Sequence, residues 1–135
     1  MKKIYDTYQP EGFTNVNSYL TVENPQELID FLQQSFYAKE LNRTVSDEGI
    51  IRNCILKIGN TCFMIGQAHG EFSGMRTSLY LYTNDVNLLF KNALTNGAKE
   101  VFAPMRMDYG DYQGGICDPA GNYWWISKRE KEQDY

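Results

Sequence analysis

An α+β fold built from two tandem βαβββ modules is predicted by two doubled phrases in one chain of 135 residues. "YLTVENPQELIDFL" (19 to 32) and "YLYTNDVNLLFKNA" (80 to 93) share one grammar: an alternating strand, a polar cap, then a helix with apolar spacing. "GNTCFMI" (59 to 65) and "GNYWWIS" (121 to 127) repeat a Gly-Asn turn followed by an apolar strand. The length suits one ordinary domain, here residues 1–135, with modules at about 13–67 and 76–128.

The elements follow in chain order. A first strand ends near Val22, where Asn24 offers a cap, Pro25 fits the first helical position and Glu27 supplies a capping-box acid. Leu28, Ile29, Leu32 and Phe36 then form an apolar stripe, which predicts a helix over 25 to 36. Strand-like runs come next at 39 to 45, 50 to 58 and 61 to 67, and a Gly-bearing link, "HGEFSGMR", joins the halves. In the second half Asp85 caps a helix whose stripe is Val86, Leu89, Phe90 and Ala93, stopped by Asn96-Gly97. Strands follow at 99 to 106, 112 to 117 and 122 to 128, and the charged "SKREKEQDY" leaves as a solvated tail.

Alternation sorts these strands into faces. Ser18, Leu20 and Val22 are expected under the first helix, with Asn15, Asn17, Tyr19 and Thr21 opposite. Leu79 and Leu81 go to the second helix while Ser78, Tyr80 and Tyr82 face away. Counting from the Gly-Asn turns sends Cys62, Met64, Trp124 and Ile126 to the helix layer. The same count turns Thr61, Phe63, Ile65, Tyr123, Trp125 and Ser127 outward.

Composition removes several classes. No run approaches the ~18 apolar residues of a membrane span, and "MKKIYDTYQPEG" has no apolar stretch behind its lysines to act as a signal peptide. With 13 basic against 17 acidic residues and no basic stripe, nucleic acid is not an expected partner. Cys54, Cys62 and Cys117 lack metal-type spacing and suit buried thiols in a cytoplasmic, reducing setting.

The paired modules, the "DPAGN" turn at 118 to 122 and the "YTNDV" strand end at 82 to 86 resemble the vicinal oxygen chelate superfamily over about residues 13 to 128. That superfamily includes glyoxalase I, extradiol dioxygenases, fosfomycin-modifying enzymes and bleomycin-resistance proteins, and its small glyoxalase/bleomycin-resistance-like members are the most similar. The resemblance implies a curled, cup-shaped mixed sheet with helices outside, a ligand on the concave face and a homodimer. Metal-dependent relatives carry His, Gln or Glu at positions that fall here on Asn17, Phe63, Ser78 and Trp125. None of these is a usual metal ligand, and the chain's one histidine, His69, lies in the link between modules.

The expectation is therefore a metal-independent small-molecule binder without cofactor, using Asn17, Tyr19, Phe63, Ser78, Tyr80, Tyr82 and Trp125 to hold a flat or cationic ligand. Tyr109 and Tyr112 stand as rim candidates in "MRMDYGDYQGG", a segment that borders the pocket in family members. A lyase- or isomerase-like enzyme of the same superfamily, and a structural member whose rings fill their own cavity, are the alternatives. His69 beside Glu71, and arginines 43, 52, 76 and 106, are lesser candidates for a base or an anion grip.

Overall fold

In the computed structural model, which describes residues 3–135, each half of the chain forms one four-stranded mixed sheet. The order is β1 (Tyr19–Val22), α1 (Pro25–Phe36), β2 (Lys39–Val45), β3 (Ile51–Ile58) and β4 (Thr61–Gln67). A short 3-10 turn at Gly70–Phe72 leads to β5 (Ser78–Tyr82), α2 (Val86–Thr95), β6 (Lys99–Arg106), β7 (Asp111–Cys117) and β8 (Tyr123–Arg129). The strand orders β1-β4-β3-β2 and β5-β8-β7-β6 repeat one topology: the last strand of each module lies parallel to its first, and the other pairs are antiparallel. Neither sheet closes on itself. Among the described residues no helix is long and apolar enough to cross a membrane.

The contacts divide the chain into two compact units whose limits are not those of the sequence modules. One holds the described residues through Pro25 together with Ala38–Gly74; the other holds Gln26–Tyr37 and Met75–Tyr135. Helix α1 thus groups with the second sheet. Its buried arc is wide, taking in Leu28, Ile29, Phe31, Leu32, Ser35 and Phe36. Phe36 meets Trp124 of β8 with ring centroids 5.2 Å apart, and Asn92 Nδ2 of α2 donates to the Ser35 carbonyl at 3.2 Å. α2 starts as its cap predicts, with Asp85 accepting from the Leu88 amide, and buries Val86, Leu89, Phe90 and Ala93. Gly97, at φ 104°, takes the left-handed conformation that ends it.

In the first unit, Leu20 lies opposite Ile65, Ile65 opposite Cys54, and Phe63 opposite Leu56. All five are at most 5% exposed and form one core face. This reverses the expected facing of β4: Phe63 and Ile65 point to the core, while Cys62 and Met64 share a face with Tyr19. The reason lies in the loops. Ile58 pairs with Thr61 across two residues, whereas Cys117 pairs with Tyr123 across five. An odd difference in loop length flips every later side chain, so a count from the Gly-Asn turn holds for β8 and fails for β4.

The five-residue loop of the second unit is organised by Asp118, only 4% exposed. Its Oδ1 accepts from the amides of Ala120 and Asn122 at 2.8 and 3.0 Å, and its Oδ2 from the Trp124 indole at 2.8 Å. Burial pushes its carboxyl above the usual carboxylate range, although these donors work in the opposite sense.

Candidate functional site

One face of the second sheet packs on helices: a Cβ added to Gly114 would sit 3.0 Å from the Phe90 ring of α2. The opposite face is partly open, with Tyr80, Tyr82 and Met105 exposed and Asp111, Gln113 and Ser127 buried, and carries rows set by register. Tyr80, Trp125, Gly115 and Phe102 make one row; Tyr82, Ser127, Gln113 and Met105 the next; Arg129 and Asp111 a third. Ser78 sits beside Tyr123 at the other end. Trp125 is stacked between Phe102 and Tyr123, each 5.9 Å away with interplanar angles of 19° and 9°. Gly115 permits this, since a Cβ there would meet both Phe102 and Trp125 at 2.7 Å. Tyr80 and Tyr82, about half exposed, lean together at 5.3 Å.

At the polar end lies Asp111, fully buried. Its Oδ2 accepts from Tyr80 at 2.5 Å and from Tyr135 at 2.8 Å, and its Oδ1 from Arg129 Nη1 at 3.0 Å. The Tyr82 and Tyr135 hydroxyls are also bonded to each other. Arg129 reaches the carbonyls of Tyr109 and Gln133 and lies 4.2 Å from the Tyr135 ring centroid. Gln113 donates to Ser127 at 2.7 Å and accepts from Tyr109 at 2.6 Å. Burial raises the Asp111 carboxyl, but the hydrogen bonds from Tyr80, Tyr135 and Arg129 outweigh it and hold the group below its usual range. Burial and the Asp111 bond push Tyr80 up to about 12. The bond to Tyr82, with its other polar neighbours, raises Tyr135 as well. At neutral pH the site therefore holds a carboxylate ringed by phenols that keep their protons.

The expected site residues fall in both units. Ser78, Tyr80, Tyr82 and Trp125 share this face. Asn17 and Tyr19 belong to the first unit, where Asn17 closes a turn on Thr14 with bonds of 2.7 and 2.6 Å and Tyr19, half exposed, donates to the Arg52 carbonyl at 3.3 Å. Phe63 is in the first unit's core. Tyr109 joins the open face through Gln113, whereas Tyr112 bonds Asn87 at 2.8 Å on the helix side. The tail is not simply solvated: Tyr135 returns to Asp111. Alternation along β7 and β8 could have found Asp111 and Arg129, which stand in phase with Gly115 and Trp125; no periodicity pointed to Tyr135.

Asn17, Phe63, Ser78 and Trp125 offer no imidazole or carboxylate, and correcting the phase of β4 substitutes Cys62 or Met64 for Phe63. Among the described residues no three His, Cys, Asp or Glu side chains gather where they could hold an ion. Cys54, its thiol pushed up to about 11 by burial, is no nucleophile at neutral pH. Arg43 is paired with Glu40 and Arg106 with Glu130, and His69 lies 5.8 Å from the Phe72 ring.

No family model matches the sequence. An uncharacterised protein, Mb0911c of Mycobacterium bovis, is 26% identical over 128 residues, covering 87% of this chain and 84% of that one. Among solved structures, TioX from Micromonospora sp. ML1 superposes with a TM-score of 0.72 at 20% identity, over 84% of this chain and 97% of TioX. A glyoxalase/bleomycin resistance protein/dioxygenase family enzyme from Burkholderia phytofirmans PsJN gives 0.65 at 22%, over 84% and 95%. TnmS3, an antibiotic-binding protein from Streptomyces sp. CB03234, gives 0.67 at 18%, over 83% and 92%. These likenesses show that the chain shares its fold of two βαβββ modules with solved structures described as glyoxalase/bleomycin resistance protein/dioxygenase and antibiotic-binding proteins.

Proposed function

We propose that the protein is a metal-independent small-molecule binder, and that the open face of the second sheet holds a flat aromatic ligand. The observation that carries this reading is the pair of half-exposed rings, Tyr80 and Tyr82, set next to the partly exposed Trp125 and the buried, hydrogen-bonded Asp111. Exposed rings on a rigid sheet offer stacking surface, and one buried polar anchor supplies orientation. The antibiotic-binding description of TnmS3, which shares the fold, supports binding as the use of such a face.

Ser78, Tyr80, Tyr82 and Trp125 are the ligand contacts in this reading. Asn17, Tyr19 and Phe63 belong to the first unit, and this reading rests on the residues of the second. Proton-transfer chemistry is disfavoured by the raised Tyr80 phenol, which makes a poor base at neutral pH. The three free cysteines suit a reducing, cytoplasmic setting. A thermal-shift screen of flat aromatic and cationic compounds tests the proposal: hits should stabilise the wild type and lose that effect in Trp125→Ala. Equal stabilisation of both proteins, or none of either, would reject this face as the site.

A further inference from the structure

We infer that the site selects ligands bearing an aryl hydroxyl, and that the Tyr135 side chain is its built-in competitor. The inference rests on the proposed binding role of this face and specifies the chemistry it reads. Of the three donors to Asp111, Tyr80 and Arg129 belong to the strands of the sheet. The third comes from the tail six residues beyond β8, on a residue 73% exposed. Tyr135 thus delivers one atom to a buried carboxylate while most of its ring stays in water, with the Arg129 guanidinium against one face.

The proton directions are determined. An ionised carboxylate only accepts, so Tyr135 donates to Asp111 and must accept its other bond from Tyr82. The position therefore asks for a group that both donates and accepts, attached to a flat ring that rests on a guanidinium. A phenol meets all three demands. An aliphatic alcohol has no ring for Arg129; a carboxylate is repelled by Asp111; an organic cation meets the Arg129 charge. An aromatic without the hydroxyl leaves Asp111 short of a donor and the Tyr82 proton without its acceptor, a loss that buried polar sites discriminate strongly.

Occupation by the tail also lowers apparent affinity, because only the fraction of molecules with Tyr135 displaced can accept a ligand. The full chain is titrated calorimetrically with 2-naphthol and with its methyl ether, which keeps the ring and the acceptor but cannot donate. Tyr135→Ala removes the competitor, and Tyr82→Phe removes an exposed donor without opening the core. Wild type should bind 2-naphthol about tenfold more tightly than the ether, the effect of one ordinary hydrogen bond. Tyr135→Ala should tighten 2-naphthol about fivefold or more through the freed population, and Tyr82→Phe should weaken both compounds alike while leaving the preference over the ether, because both accept from Tyr82 and only 2-naphthol donates to Asp111. Equal affinity for both compounds overturns the inference but leaves the aromatic binding face standing. Weaker binding of 2-naphthol by Tyr135→Ala also overturns it, since the tail would then be part of the site. Binding of neither compound by wild type or Tyr135→Ala overturns it too, and when the aromatic screen is also empty the proposed function falls with it.

Discussion

Replacing Gly115 by alanine tests the construction of the open face with one methyl group. Gly115 stands on β7 between Phe102 and Trp125, and an added Cβ would lie 2.7 Å from a carbon of each ring and 2.9 Å from a second carbon of Trp125. Carbon atoms at van der Waals contact are about 3.5 to 4.0 Å apart, so the rings must retreat by about 1 Å. Overfilling of this kind costs about 1 to 3 kcal/mol. The Gly115 backbone is not in the left-handed region, so the whole cost comes from crowding. At about 4 °C per kcal/mol for a domain of this size, melting should fall by roughly 4 to 12 °C. Tryptophan emission should shift as Trp125 leaves its stack with Phe102 and Tyr123, while Trp124 keeps its place against Phe36. Gly114→Ala is the matched control: its added Cβ meets Phe90 and Pro104 at 3.0 and 3.1 Å on the helix side, so it should cost stability without moving ligand binding. Wild-type melting and emission in Gly115→Ala would refute the packing of this face.

Three further outcomes follow from the same geometry. Asp118→Asn preserves an acceptor for Ala120 and Asn122 but turns an amide NH2 toward the Trp124 indole NH; denaturant titration should show a loss of about 1 to 3 kcal/mol, and none would deny the bond its role. Because the Asp111 carboxyl lies below its usual value, its contribution to stability is complete above about pH 3.9 and lost as pH falls through the lower folded value. Tyr135→Phe should raise the Asp111 midpoint measured by carboxyl NMR, and an unmoved midpoint would mean that the Tyr135 bond contributes nothing. Each open sheet ends in two edge strands that a two-fold partner can cover, so sedimentation should show about twice the 15.6 kDa chain mass; the chain mass alone at micromolar concentration would reject the homodimer.

Much of the fold was legible because its signals are local. Asp85, the Val86–Ala93 stripe and Gly97 each act within a turn or two of chain, and they mark α2 without reference to anything distant. What depends on pairing was not legible in the same way. A stripe such as that of α1 states how much helix surface is buried, not what covers it, and nothing in the sequence tied Phe36 to Trp124 of β8. The facing of Phe63 failed for an equally definite reason: parity is carried through a loop, and the two Gly-Asn loops differ by an odd number of residues. In the second unit the same alternation correctly put Tyr80, Tyr82 and Trp125 on one open face.

Asp111 breaks the pattern in a way that bears on function. A buried carboxylate on a strand otherwise lined with glycines and aromatic neighbours sacrifices hydration that a hydrophobic residue would not, and ion pairs in such places gain little net stability. Arg129 alone would balance its charge, yet two phenols are also directed at it, one of them from the exposed tail. Local rules tend to be broken where a site has to hold polar groups ready for something else. If Asp111 served only the fold, the Tyr135 bond would add little to an already paired carboxylate and its loss would change stability alone. If Asp111 is an acceptor kept for a ligand hydroxyl, the same loss changes affinity for a phenol as well. Measuring both quantities on Tyr135→Ala therefore separates a structural buried charge from a recognition group.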